Sequence, residues 1–200
     1  MSHCATLISQ GYEKACTRKA KQGYKKECIL INYDDIDFAN IVRNATPGSE
    51  NLVTTLPLFT GKQGYAINQF FKPFQGSGRS FVRGTYIGTW TKKLGFVTLT
   101  KDQAQNLNLH DGLANGKFVA IIQNEDMGSD NKCAFEILGL TNGLTLTSCE
   151  NDPYSEDVYN GDIFSLEETG ADESAIYLWN TSYATTKAAY ESYKTPVSVQ

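Results

Sequence analysis

Two segments in the second half of the chain narrow the fold more than any other feature. Phe135–Ser148 reads FEILGLTNGLTLTS and Gly161–Thr169 reads GDIFSLEET. A β-prone run enters a short Gly-containing turn, a second run leaves it, and a third follows an acidic loop. Apolar and polar residues at short strand length, punctuated by Asn-Gly, specify paired strands rather than helices. The stretch holds no nucleophile beside a base, no metal-ligand cluster and no phosphate cradle. It reads as scaffold, which makes assembly the leading question.

The remaining sequence extends the β pattern. Cys28–Tyr33 (CILINY) is a buried strand ending in Asp34, Asp35 and Asp37, and residues 44–50 form a turn around Pro47-Gly48. Leu52–Phe59 is a weaker strand limited by Pro57, because proline gives up a ladder donor. Gly64–Phe71 is a strand, and Lys72–Gly78 (KPFQGSG) is a flexible tip. Ser80–Trp90 and Leu94–Thr100 then make a hairpin across a charged turn, with Val82, Tyr86 and Trp90 on one face and Phe81 and Ile87 on the other. The period changes over Thr100–Gly112. Thr100 with Gln103 matches a capping box, Ala104 and Leu107 are helix-spaced, and Gly112 is a stop. Lys117–Gln123, Ala134–Leu140, Leu144–Ser148, Asp162–Glu168 and Ala175–Trp179 are further strands. Ser182 caps a last helix on which Tyr183, Thr186, Tyr190 and Tyr193 share a stripe, ended by Pro196. The pattern predicts a mainly β sandwich or half-barrel of eight to ten strands with one flanking helix. It divides into an N-terminal arm (1–26), a β domain (27–181) and a C-terminal helix with its tail (182–200).

The 200 residues suffice for one domain with a core, and 40% hydrophobic and 12% aromatic content is that of a globular chain. Net charge is −4, but its distribution is uneven. Six of 18 basic residues, Lys14, Arg18, Lys19, Lys21, Lys25 and Lys26, lie in the arm without an acid among them, while Cys133–Thr186 has no Lys or Arg and ten of the 22 acids. Such runs are ordinarily solvated faces; the sharper expectation is a basic arm meeting an acidic body between copies of the chain. The arm holds a short tandem repeat, CATLISQGYEKA then CTRKAKQGYKKE, too brief for a solenoid. The start lacks the apolar run of a signal peptide, and no stretch has the roughly 18 apolar residues that read as a membrane span. Folding in a reducing cytosol with free thiols is the expectation, and the acceptor-like Asn44 and Asn180 carry no weight without secretion.

Chemistry-bearing patterns are weak. His110 and Asp111 are neighbours on a helix, about 100° apart, and so form no oriented dyad. Cys4, Cys16 and Cys28 lack the close ligand pairs of zinc sites. Asp34, Asp35 and Asp37, and separately Glu125, Asp126 and Asp130, do not follow the calcium-loop pattern. Gly76-Ser77-Gly78 is not framed by a strand-to-helix turn, as a phosphate loop requires. The expectation is no catalytic residue, no cofactor and no metal.

Three local patterns, in order, carry a family resemblance. The first is Cys4, Gly11, Cys16 and Gly23-Tyr24-Lys25, then a strand ending in Asp34-Asp35-Ile36. The second is Phe96-Val97-Thr98-Leu99, a helix, and Phe118-Val119-Ala120-Ile121-Ile122. The third is Glu136-Ile137-Leu138-Gly139, Asn142-Gly143-Leu144-Thr145-Leu146 and Gly161-Asp162-Ile163-Phe164-Ser165-Leu166. The chain resembles tail-tube-like structural proteins of tailed bacteriophages of gut Bacteroidales, including the crAss-like phages. The resemblance implies a virion protein, made in the bacterial host cytoplasm, that forms a six- or twelve-fold ring with itself around the DNA-ejection channel. Its further partners would be adjacent tail or portal-connector proteins and DNA in transient, non-specific passage, without membrane insertion. The connection around Ser129, Asp130 and Lys132 is longer than the pattern, and the tyrosine-striped tail is additional, so tail tube and tail hub both stay open.

A DNA channel needs a wall that does not hold phosphates. Glu150, Asp152, Glu156, Asp157, Asp162, Glu167 and Glu168, with Asp172 and Glu173 after them, are therefore the candidate lumen or subunit-contact acids. Strand alternation puts Glu167 and Glu168 on opposite faces. The other function class is a soluble carbohydrate-binding or adhesion sandwich using Tyr65, Tyr86, Trp90 or Trp179 as a sugar platform.

Overall fold

Alternation sends the apolar residues of the first strand to two different cores. In β1 (Tyr24–Asn32), Cys28 and Leu30 face one way and Ile29 and Ile31 the other, all at most 5% exposed. β7 (Phe118–Asn124) repeats the split, with Ala120 and Ile122 opposed to Val119 and Ile121. A strand apolar on both faces must be covered on both, and this one is. The structure, a computed structural model, describes residues 20–69, 72–99, 103–128, 130–156, 158 and 161–197, with residues 103–106 described in their backbone alone.

The remaining strands are β2 (Val42–Arg43), β3 (Leu52–Thr55), β4 (Tyr65–Asn68), β5 (Gly78–Arg83), β6 (Gly88–Thr98), β8 (Phe135–Leu138), β9 (Thr145–Asn151), β10 (Asp162–Ala171) and β11 (Ile176–Leu178). The helices are α1 (Gln103–Asn115) and α2 (Tyr183–Ser192). One sheet has seven strands in the order β2-β3-β11-β8-β7-β1-β4, and a second has four in the order β5-β6-β10-β9. All named pairings are antiparallel except β3 with β11. The fold is mainly β, as expected, and is two sheets rather than a closed barrel.

Cys28, Leu30, Ala120, Ile122 and Leu138 of the larger sheet pack against Leu94, Phe96, Phe164 and Leu166 of the smaller, with Leu113 of α1 joining them. Phe96 and Phe164 stack at 5.1 Å between centroids. On the opposite face of the larger sheet, α2 lies over Ile29, Val119, Ile121, Phe135 and Ile137. The tyrosine stripe is this helix's contact: Tyr190 is 3% exposed and Tyr183 and Tyr193 pack on the same core. Ser182 caps the helix in a capping box with Thr185.

Several boundaries depart from the sequence expectation. β1 begins at Tyr24, so Lys25 and Lys26 belong to a strand and not to an arm. The turn expected at Thr91–Lys93 lies in the middle of β6, and the hairpin reverses at residues 84–87. Cross-strand pairing puts Phe81 opposite Trp90, so the two share a face, with their rings edge-on at 5.3 Å. The segment before β5 is pinned rather than free. Phe74 is 1% exposed in the inter-sheet core, and Ser77 Oγ accepts from the Gly95 N–H at 2.8 Å. Gly95 has to be glycine for this crossing, since a Cβ there would meet the Gln75 carbonyl oxygen at 2.7 Å. α1 runs through Gly112 to Asn115, and Thr100 of the expected capping box lies outside the described residues.

Candidate functional site

Register divides the smaller sheet into two faces with different chemistry. On β10, Asp162, Phe164, Leu166 and Glu168 point at the larger sheet, while Ile163, Ser165 and Glu167 point away. The inward row Arg79–Lys92–Glu168 crosses β5, β6 and β10 and interrupts the apolar core with charge. Lys92 and Glu168 have no exposed side-chain surface, and their charged groups lie 3.4 Å apart. Glu168 also accepts from the backbone N–H groups of Gly139 (3.1 Å), Thr141 (2.9 Å) and Asn142 (2.7 Å). One carboxylate thus receives a counter-ion and three amide donors, the condition for burying an ion. Gly139 makes the turn that presents those amides: its φ is +86°, and a Cβ would meet the Phe118 carbonyl oxygen at 2.6 Å.

Arg79 reaches across the sheets to Glu136 of β8 at 2.8 Å. Burial pushes the Glu136 carboxyl above the ordinary carboxylate range, against the pull of Arg79, Asn124 and Lys92. The Arg79 charge is also felt by the Tyr177 hydroxyl on β11. Beside this cluster a cleft of about 360 Å³ is lined by Lys21, Gly23, Tyr24, Ser77, Asn124 and Asp126.

The candidate acids separate by location. Glu168 and Asp162 are 0% and 7% exposed and face inward, which leaves them no surface to offer a lumen or a neighbouring subunit. Asp162 is held by Asn151 (3.0 Å) and by His110 of α1 (3.2 Å). Glu150 and Glu167 lie on the outward face; Glu167 pairs with Lys93 at 3.2 Å. Asp152 and Glu156 are exposed after β9. Asp172 is exposed after β10, and Glu173 is bound by Arg43 at 2.6 Å. Asp157 lies outside the described residues. The stretch without Lys or Arg is therefore acidic in sequence more than in space, since Arg43, Arg79, Lys92 and Lys93 come to it from distant strands. Cross-strand partners far apart in the chain leave no local signal, so a count along the sequence missed them.

Of the basic set, Lys14, Arg18 and Lys19 lie outside the described residues. Lys21 and Lys26 are exposed, and Lys25 pairs with Glu125 at 3.0 Å. Cys4 and Cys16 also lie outside the described residues, and Cys28 is a buried free thiol whose pKa burial pushes upward. Asp35 is engaged by Lys62 (2.7 Å) and Asn32 (2.8 Å), and Asp130 by Lys132 (3.0 Å). Among the described residues no three His, Cys, Asp or Glu side chains converge as metal ligands. No helix among them is long and apolar enough to cross a membrane. His110 does find a carboxylate, but it is Asp162 rather than Asp111.

Among the described residues both ends of the smaller sheet are open: β5 pairs with β6 alone and β9 with β10 alone. Where β6 runs past β5, the Gln69 side chain substitutes for a strand, accepting from Val97 N–H at 3.0 Å and donating to Val97 O at 2.7 Å. Beyond Arg79 the β5–β6 hairpin exposes Phe81 (55%), Val82 (50%), Tyr86 (96%) and Ile87 (74%). Of the four aromatics of the sugar-platform reading, Tyr86 and Trp90 are on this hairpin, Tyr65 is on β4 and Trp179 follows β11. No family model, curated protein or solved structure matches the chain.

Proposed function

We propose that this chain is a structural subunit of a ring in the tail of a tailed bacteriophage, either tail tube or tail hub, around the channel through which DNA leaves the capsid. The observation that carries this reading is the four-stranded sheet whose two edges are unpaired among the described residues. Its strands alternate in direction, so β5 and β9 run oppositely. A rotation that preserves strand direction brings β9 of one copy antiparallel to β5 of the next. A head-to-tail contact of this kind closes into a ring when the rotation closes, and it removes both edges, which otherwise invite uncontrolled pairing. The resemblance carried by the ordered motifs described above supports the same reading.

In such a ring the face bearing Glu150, Ile163 and the Lys93–Glu167 pair lines the channel, and a wall of this charge gives phosphates no row of cations to bind. The basic N-terminal residues reach a neighbouring subunit, and adjacent tail or portal-connector proteins stack above and below. The protein acts in the virion after synthesis in the host cytoplasm, and no catalysis is required of it. The direct test is electron microscopy of the purified full-length protein, with six- or twelve-fold rings as the expected result. The adhesion reading draws on the exposed Tyr86 beside the Phe81–Trp90 ring pair. It requires a stable monomer that binds glycans, with binding lost in Tyr86→Ala.

A further inference from the structure

The ionic cluster between the sheets is larger than burial of a stray charge requires. It also sits where the projecting hairpin leaves the body. Arg79 is the second residue of β5; its side chain is 38% exposed while its partner Glu136 is 8% exposed, and every residue of β5 after it is exposed. Its guanidinium is bound to Glu136 of the opposite sheet at 2.8 Å and acts electrostatically on Tyr177 of a second strand there. Lys92, directly across from Arg79, is fully buried, and its ammonium has the Glu168 carboxylate at 3.4 Å but no well-formed hydrogen bond. Its charge is felt by Glu136 as well. Glu168 in turn holds the Gly139–Asn142 turn that follows β8. The smaller sheet therefore grips β8 at both ends, through Arg79 at one and Glu168 at the other.

We propose that Arg79, Lys92, Glu136 and Glu168 form an electrostatic lock that fixes the β5–β6 hairpin, and with it the free edge of β5, against the seven-stranded sheet. Apart from the ladder to β6 and the Phe81–Trp90 ring contact, β5 has no other side-chain anchor to the body among the described interactions. Apolar burial is non-directional and tolerates sliding. A planar guanidinium aimed at one carboxylate fixes direction and register. Buried ion pairs are retained in some proteins for such specificity rather than for stability. Opening the lock is thus expected to free the hairpin locally, as a low-stability unit, while the apolar cores stay closed.

This inference extends the ring reading, because the edge it fixes is the edge that reading uses, but its main test does not depend on rings. Hydrogen–deuterium exchange is measured on the full-length protein and on Arg79→Ala, Arg79→Lys and Glu136→Gln. In Arg79→Ala, amides of Gly78–Thr91 should exchange about tenfold faster, while those of β1 and β7 stay within about twofold, the pattern of local opening. Arg79→Lys should fall in between, since lysine keeps the charge but not the fork. Arg83→Ala, on the same strand but exposed, should leave the hairpin unchanged. If Glu136→Gln does not fold, the arginine series suffices. Hairpin exchange equal to wild type in Arg79→Ala overturns the lock, and so does equal acceleration throughout the chain. If wild type never forms rings but the hairpin loosens as stated, the lock stands and the ring reading fails. If wild type forms rings and Arg79→Ala forms them equally with unchanged exchange, the lock fails and the ring reading stands.

Discussion

Taking the charge from Glu168 leaves the Lys92 ammonium buried beside a neutral amide and weakens three backbone contacts to the Gly139–Asn142 turn. Breaking a buried pair in this way costs about 3–5 kcal/mol. Glu168→Gln should therefore lower the urea midpoint far more than Glu167→Gln, whose partner Lys93 is 44% exposed and whose loss is worth about 0–1 kcal/mol. Sequence alone places these two neighbours on opposite faces but does not say which is buried. Lys92 was harder still: a Thr-Lys-Lys run reads as a polar turn, and only pairing with β10, distant in sequence, makes a buried lysine tolerable. Asp35 gives a pH test at the same scale. Burial acts to raise its carboxyl, but hydrogen bonds from Lys62 and Asn32 and the Lys62 charge outweigh it and hold the pKa below the ordinary value. A lowered folded-state pKa means the stabilisation is present above the unfolded value, about 3.9, and is lost as pH falls through the folded one. Asp35→Asn should be less stable than wild type near neutrality, and the gap should narrow in thermal melts taken from pH 5 down to pH 3.

The terminal helix was legible because its signals are local. Ser182 and Thr185 make the cap, and spacings of three and four put Tyr183, Thr186, Tyr190 and Tyr193 on one side. Tyr190 packs at a tilt against Phe135 with centroids 5.0 Å apart, and its hydroxyl donates to the Glu27 carbonyl at 3.3 Å. Tyr190→Ala should cost about 3–5 kcal/mol, the range for emptying an aromatic site in a core. Tyr190→Phe should cost about 1 kcal/mol, one hydrogen bond. Chemical denaturation of both variants separates the two contributions. The hairpin was legible as a hairpin but not in register, because the apolar residues on both its faces fit more than one turn position and alternation alone does not choose. β2 is two residues long, too short to leave a pattern. At the hairpin tip the prediction reverses. Tyr86→Ser and Ile87→Ser remove surface that is already exposed, so stability should stay within about 0.5 kcal/mol of wild type, while any assembly that uses the tip should weaken in sedimentation.

For the whole molecule, the sequence pattern left a sandwich and a half-barrel open; β1 and β7, apolar and covered on both faces, place the larger sheet between the smaller sheet and α2. It did not show which charges would be neutralised, because the partners lie far apart in the chain: Arg43 to Glu173, Arg79 to Glu136 and Lys93 to Glu167. The proposed channel wall is accordingly less acidic than the run from Cys133 to Thr186 suggests, with Glu150 as its exposed acid on β9. Glu150→Lys is expected to slow DNA exit from particles, because it adds cations facing phosphate, while leaving the monomer folded. Removing residues 1–19, which ends short of β1, should leave a folded chain that no longer assembles if the basic segment bridges subunits. The central claim is tested most directly by imaging the purified full-length protein by electron microscopy across a concentration series. The account predicts closed rings of six- or twelve-fold symmetry in which β5 of each copy lies against β9 of the next. A chain that stays monomeric at every concentration, or rings joined through other surfaces with both edges left open, would contradict it.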